Sequence, residues 1–205
     1  MATTSAPRGF QPVVSLTAPY SGGFRKYIIK SADAYAIGNG DLVSIVSTGS
    51  SRGYAQRMNT TLTATTVTSS GTFVGVLTGC EYTDSVSGQI LRKQFYPGGI
   101  TASDIYSYVA DNPYELFSIQ ANGVVPQTAI GCNFSVIQTA VTNTTTGNSG
   151  LQLKYDSLAT TTTLPVRLVA FDIKPGFNSI GDAYGDCIVR INNHFHTTLT
   201  GTAAT

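Results

Sequence analysis

Apolar residues along this chain alternate with polar ones in short runs, and no segment sustains the 3.6-residue spacing of an amphipathic helix. The runs predict strands at Lys26–Ile29, Ala34–Ile37, Leu42–Val46, Phe73–Leu77, Ile90–Phe95 and Ile105–Val109. Further strands are predicted at Leu116–Ile119, Cys132–Val136, Leu151–Leu153, Val166–Phe171 and Cys187–Ile191. Thr60 to Ser69 alternates loosely, as an exposed or edge strand would. Ser103-Asp104 offers a helix cap ahead of Ile105, but the alternation that follows favours a strand. Turn clusters separate the runs: Gly38-Asn39-Gly40-Asp41, Thr48-Gly49-Ser50-Ser51, Ser87-Gly88 and Asp111-Asn112-Pro113. Short strands with turns at this spacing predict an all-β chain, a sandwich, jelly roll or barrel of about ten strands.

Two regions break the pattern. Residues 1–24 contain Pro7, Pro12 and Pro19 and few consecutive apolar residues, so they are expected to form an extended arm ahead of a β domain over 25–205. Four cations, Arg8, Arg25, Lys26 and Lys30, precede the first acid, Asp33; the rest of the chain has 8 basic against 11 acidic residues. The arm is expected to dock on a neighbouring subunit through Arg8, Phe10, Val13, Tyr20 and Arg25, with Val14 and Leu16 as further anchors. Apolar anchors at that density would be wasted in a solvated tail. On this reading, removing residues 2–22 leaves the β domain folded. The second region, Thr139–Gly150, is rich in Thr, Asn and Gly and is expected to be loop, as is Thr160–Thr163.

Composition narrows the function. Charged residues make up 11% of the chain and the net charge is +1, with 29 threonines supplying much of the polarity. A near-neutral chain lacks the basic excess of a general nucleic-acid binder. No apolar stretch is long enough for a membrane helix, so no membrane partner is expected. The opening MATTSAPRGF lacks the charged start and apolar run of a signal peptide, and a protein made in a reducing cytoplasm is expected. Cys80, Cys132 and Cys187 are odd in number and far apart; they predict neither a disulfide framework nor a metal site.

Chemistry-bearing motifs are sparse. His194 and His196 share one face of a strand, but a metal site needs further ligands that the sequence does not supply. Asp172, Asp182 and Asp186 lack the spacing of an EF-hand and are expected to form turns. Glu81 and Glu115 are the only glutamates, and neither sits in a glycosidase-like motif. No G-x-S-x-G elbow or phosphate-binding loop occurs. No enzyme and no cofactor are expected. Tyr96, Tyr114, Phe177 and Tyr184 stand beside Pro or Gly in turns, where aromatic side chains suit subunit contacts better than sugar stacking.

Three stretches resemble the head decoration, or cement, proteins of tailed bacteriophages. They are Gly71–Tyr82 with Tyr96-Pro97-Gly98-Gly99, Tyr108–Pro113 with Phe117–Gln120, and Val189–His194. Tyr96 stands where that family's pattern suggests tryptophan, and the tail Thr197–Thr205 has no counterpart in it. The resemblance implies a virion protein made in the host cytoplasm. It would bind the outer surface of an icosahedral head as a homo-oligomer, dimer or trimer, and bridge neighbouring copies of the major capsid protein. The alternative is a head-fibre or tail adhesin that binds host-surface glycan through exposed aromatics such as Tyr96 and Tyr184.

Overall fold

The computed structural model describes residues 4–16, 22–58, 66–67, 73–138, 143 and 145–197. The chain is all-β: among these residues there are fourteen strands and three short 3-10 turns. In chain order the strands are β1 (Gln11–Ser15), β2 (Arg25–Ile28), β3 (Leu42–Ile45), β4 (Ala55–Arg57), β5 (Thr66–Val67), β6 (Phe73–Thr83) and β7 (Ile90–Lys93). They continue with β8 (Tyr106–Ala110), β9 (Glu115–Gln120), β10 (Asn133–Phe134), β11 (Val136–Gln138), β12 (Leu151–Leu153), β13 (Val166–Phe171) and β14 (Asp186–Ile191).

Three sheets result. The first has the order β1-β9-β14-β13-β10, and the second β12-β11-β5. The third runs β2-β8-β6-β3-β4, with β7 added to the far half of β6. A parallel bridge between Ile29 and Ala55 joins the two ends of this third sheet, so it curls into a small barrel.

Two apolar interiors sit on either side of one wall. Along β6, Phe73 and Val76 point into a core shared with Phe117, Ile119, Phe134, Val166, Leu168 and Val189 of the sandwich. Their neighbours Val74 and Leu77 point the other way, into the barrel, with Ile37, Val43, Tyr96, Ile105 and Val109. Leu42 and Val43 of β3 divide in the same manner. Successive side chains of a strand face opposite sides, so one wall serves both interiors only if nearly every position is apolar. Glycine at 75 has a separate reason: a Cβ there would fall on the Ala110 carbonyl oxygen. β6 shifts register against β8 between Leu77 and Gly79.

Several sequence expectations need correction. Ala34–Ile37 is no strand; Asp33 Oδ1 accepts the Tyr35 amide at 3.0 Å in a tight turn, and only Ile37 bridges, to Tyr96. The run Cys132–Val136 divides at Ser135, where the chain leaves β13 and pairs with β12. Most of Thr60–Ser69 lies outside the described residues. The expected arm is, over residues 4–16, part of the domain: β1 pairs antiparallel with β9 at the edge of the first sheet.

Candidate partner interface

The five residues expected to grip a partner are not gathered on one surface. Phe10 is fully buried, packs edge-on against Phe117 with ring centres 6.0 Å apart, and donates its amide to the Gly40 carbonyl at 2.9 Å. It is a core residue of its own chain, because burying the ring next to β9 removes it from water without a second subunit. The Arg8 guanidinium donates to Asp186 Oδ2 at 2.8 Å, at the start of β14. Nearby, Gln120 Oε1 accepts the Ala6 amide at 2.8 Å, so the segment before β1 is tied down along its length. Arg25 extends into solvent while meeting Asp111 at 3.5 Å. Val13, at the register shift in β1, stays 44% exposed, and Leu16 and Tyr114 are exposed as well. Tyr20 lies outside the described residues.

A different region, around the β13–β14 connection, carries several of the exposed apolar groups. The β13–β14 connection presents Ile173, Phe177 and Ile180, with Phe177 at 78% exposure. Lys174–Asn178 closes into a tight turn, with the Phe177 amide donating to the Lys174 carbonyl at 2.9 Å. Gly176 takes φ +84°, a conformation that favours glycine. The side chain of Asn178, 4% exposed, clamps the base of the turn. Its Nδ2 donates to the carbonyls of Asp172 and Asp186, and its Oδ1 accepts the Asp186 amide at 3.2 Å.

Two further exposed side chains, Val124 and Tyr155, join this end of the sandwich. Residues 121–123 connect them: the Ala121 amide donates to Gly185 O at 2.9 Å, and the Asn122 amide to Leu153 O at 3.0 Å. Gly123 lies directly against the Tyr155 ring. Charges around the rim pair within the chain, Lys174 with Asp172 at 2.6 Å and Lys154 with Asp156 at 3.2 Å. Exposed apolar side chains, internally paired charges and a hydrogen-bonded backbone thus occur together in these loops. Large exposed apolar patches on soluble domains mark contact sites, and a ring fixed on a stiff loop is the usual form of an interface anchor.

Two polar clusters flank the barrel. Glu81 accepts from Lys26, from the Tyr108 hydroxyl and from Arg92 Nε, the last at 3.1 Å. The Lys26 ammonium also lies 5.3 Å from the ring centres of Tyr106 and Tyr108. These donors, Lys26 first and Tyr108 next, hold the Glu81 carboxyl down at about 2. The second cluster centres on Asp111 Oδ2, which accepts from the Tyr27 hydroxyl at 2.7 Å and meets His196 Nε2 at 3.1 Å. Burial, and then Asp111, raises the Tyr27 hydroxyl well above its ordinary value.

His194 is 1% exposed and lies beside Phe73 through a parallel bridge. Burial, followed by the neighbouring His196, pushes its imidazole down to about 4. Both histidines therefore fasten residues 192–197 to the barrel wall. Asp172, Asp182 and Asp186 are divided among separate tasks: Asp172 on Lys174, Asp186 on Arg8, and Asp182 accepting the Ser179 amide at 2.9 Å. Among the described residues no group of three or more His, Cys, Asp or Glu is placed to hold a metal ion.

The aromatic residues expected at contacts separate by burial. Tyr96 is fully buried in the barrel and donates its hydroxyl to the Asp33 carbonyl at 3.0 Å, which removes it from both the subunit and the glycan readings. Tyr114 and Phe177 are exposed, and Tyr184 is half-buried. Comparison with protein-family models, with curated proteins and with solved structures finds no match for this chain. Among the described residues no helix is long and apolar enough to cross a membrane.

Proposed function

We propose that this chain is a structural virion protein that binds the outside of an icosahedral phage head and cements neighbouring major capsid subunits. The observation that carries the proposal is the apolar end of the sandwich, with Phe177, Ile173, Ile180, Val124 and Tyr155 exposed on a clamped base. Burying one such side chain is worth about 1.5–3 kcal/mol, so an end with five of them gains substantially from meeting an apolar partner surface. The resemblance of Gly71–Tyr82 and Val189–His194 to head decoration proteins supports the major capsid protein as that partner. A net charge of +1 lets many copies crowd on one shell with little mutual repulsion. Assembly as a homo-oligomer would join several modest contacts into firm attachment through effective concentration.

Co-sedimentation with assembled, undecorated heads tests the reading. The protein is expected to saturate the shell at a fixed ratio to the major capsid protein. Phe177→Asp is expected to weaken binding by about tenfold or more, with an unchanged melting temperature because the side chain is solvent-exposed. Absence of saturable binding by the wild-type protein overturns the proposal.

A further inference from the structure

On the opposite face of the barrel from its shared wall, the turn after β2 and the β3–β4 hairpin enclose two adjoining clefts of about 540 and 240 Å³. Tyr54 and Ser31 line both, so the clefts adjoin at these residues as one groove. Volumes of this order match sites for small ligands, about 300–1,000 Å³. Ile28, Ala102 and Ser103 line the larger cleft, and Tyr35, Lys30, Asp33 and Gln56 the smaller.

The groove is firmly built. The Val46 amide donates to Tyr54 O at 2.9 Å, and the Tyr54 amide to Ser51 O at 3.2 Å, which fixes the hairpin that carries the ring. The bridge from Ile29 to Ala55 forms the floor. On the facing turn Ala32 holds φ +60°, a left-handed conformation uncommon outside glycine. Its amide donates to Ile100 O at 2.8 Å, and Lys30 Nζ donates to Ser51 Oγ at 2.8 Å across the groove. Strained backbone of this kind persists where the surroundings over-determine it, and it clusters at binding sites.

We propose that this groove binds a pyranose sugar. A pyranose presents an apolar C–H face and a rim of hydroxyls that both donate and accept. Tyr54 and Tyr35 bring two aromatic rings to the lining, the group that suits the face. Around them stand a carboxamide (Gln56), a carboxylate (Asp33), an ammonium (Lys30) and hydroxyls (Ser31, Ser103), which together offer both donors and acceptors. Few apolar ligands would tolerate so mixed a lining, whereas a hydroxylated ring satisfies it. The site is separate from the apolar end of the sandwich, so it stands whether or not that end meets a capsid.

The test is titration of the full-length protein with methyl glucopyranoside, methyl galactopyranoside, N-acetylglucosamine and glucuronate, followed by amide NMR. At least one sugar is expected to shift the Lys30, Tyr54 and Gln56 amides saturably, with a dissociation constant of about 1 mM. Tyr54→Phe keeps the ring and should keep the affinity. Tyr54→Ala should weaken binding by about tenfold. Gln56→Ala, which leaves the β4 backbone pairing intact, should weaken binding even if Tyr54→Ala fails to fold. If none of the four sugars shifts these amides, or if both alanine variants bind undiminished, the proposal is overturned.

Discussion

His194 and Glu81 respond to acid through opposite kinds of partner. Glu81 is held down at about 2 by the donors around it, so its contribution is present above the ordinary carboxylate value near 4.5 and is lost as pH falls towards 2. His194 is held neutral by burial, at about 4 against an ordinary 6.5. The unfolded chain therefore takes up a proton before the folded one does, and stability falls as pH drops from 6.5 towards 4. A melting series over this range should decline in the wild-type protein, and His194→Phe should flatten the decline above about pH 5.5, where Glu81 is ionised in the folded and the unfolded chain alike. A wild-type melting temperature constant from pH 7 to 4.5 would contradict the burial argument. Phe10→Ala empties a fully enclosed site next to Phe117 and should cost about 3–5 kcal/mol in urea unfolding.

Strands with a clear apolar run are readable in the sequence, whether they alternate, as β12 does, or are apolar throughout, as the start of β6 is; strands that are short or interrupted by proline are not. β9, β12, β13 and β14 fall where their apolar runs lie because their pairing depends on that pattern. β1 was hidden by Pro7 and Pro12, which suggest an arm; yet Pro12 sits in an edge strand, the place where a missing N–H is tolerated. β4 is three residues, Ala-Gln-Arg, too short to show a period. Of the candidate interface, only Phe177 was flagged, from its Pro-Gly turn. Val124 and Tyr155 join it through backbone bonds at Ala121 and Asn122, which have no local signature. The arm's role changes accordingly. Deleting residues 2–16 strips β1 from β9 and removes Phe10 from the core, so the truncated protein should melt well below the full chain instead of keeping its fold. Circular dichroism on the truncated and full chains decides between these outcomes.

At the scale of the molecule, sandwich and barrel are not two beads on a string. β3 and β6 line both interiors with alternate side chains, and the segment around His194 and His196 straps the C-terminal end of β14 back to Phe73 of the same wall. Chemical unfolding should then follow one transition by every probe. Tyrosine fluorescence, to which the buried Tyr82 and Tyr96 of the barrel contribute among eleven tyrosines, and backbone circular dichroism should give coincident curves.

The shared wall also bears on how such a chain can change over generations. A substitution on β6 that enlarges a side chain towards one interior shifts the strand against the other, so the two interiors must vary together. Neither half can be exchanged by recombination with a foreign sandwich or barrel without supplying a new β6 that fits both. The tips of the loops at the two ends carry exposed side chains that belong to neither core. The Phe177 turn and the Tyr54 hairpin are therefore free to diversify towards new surfaces, while the strands between them are held to a double constraint.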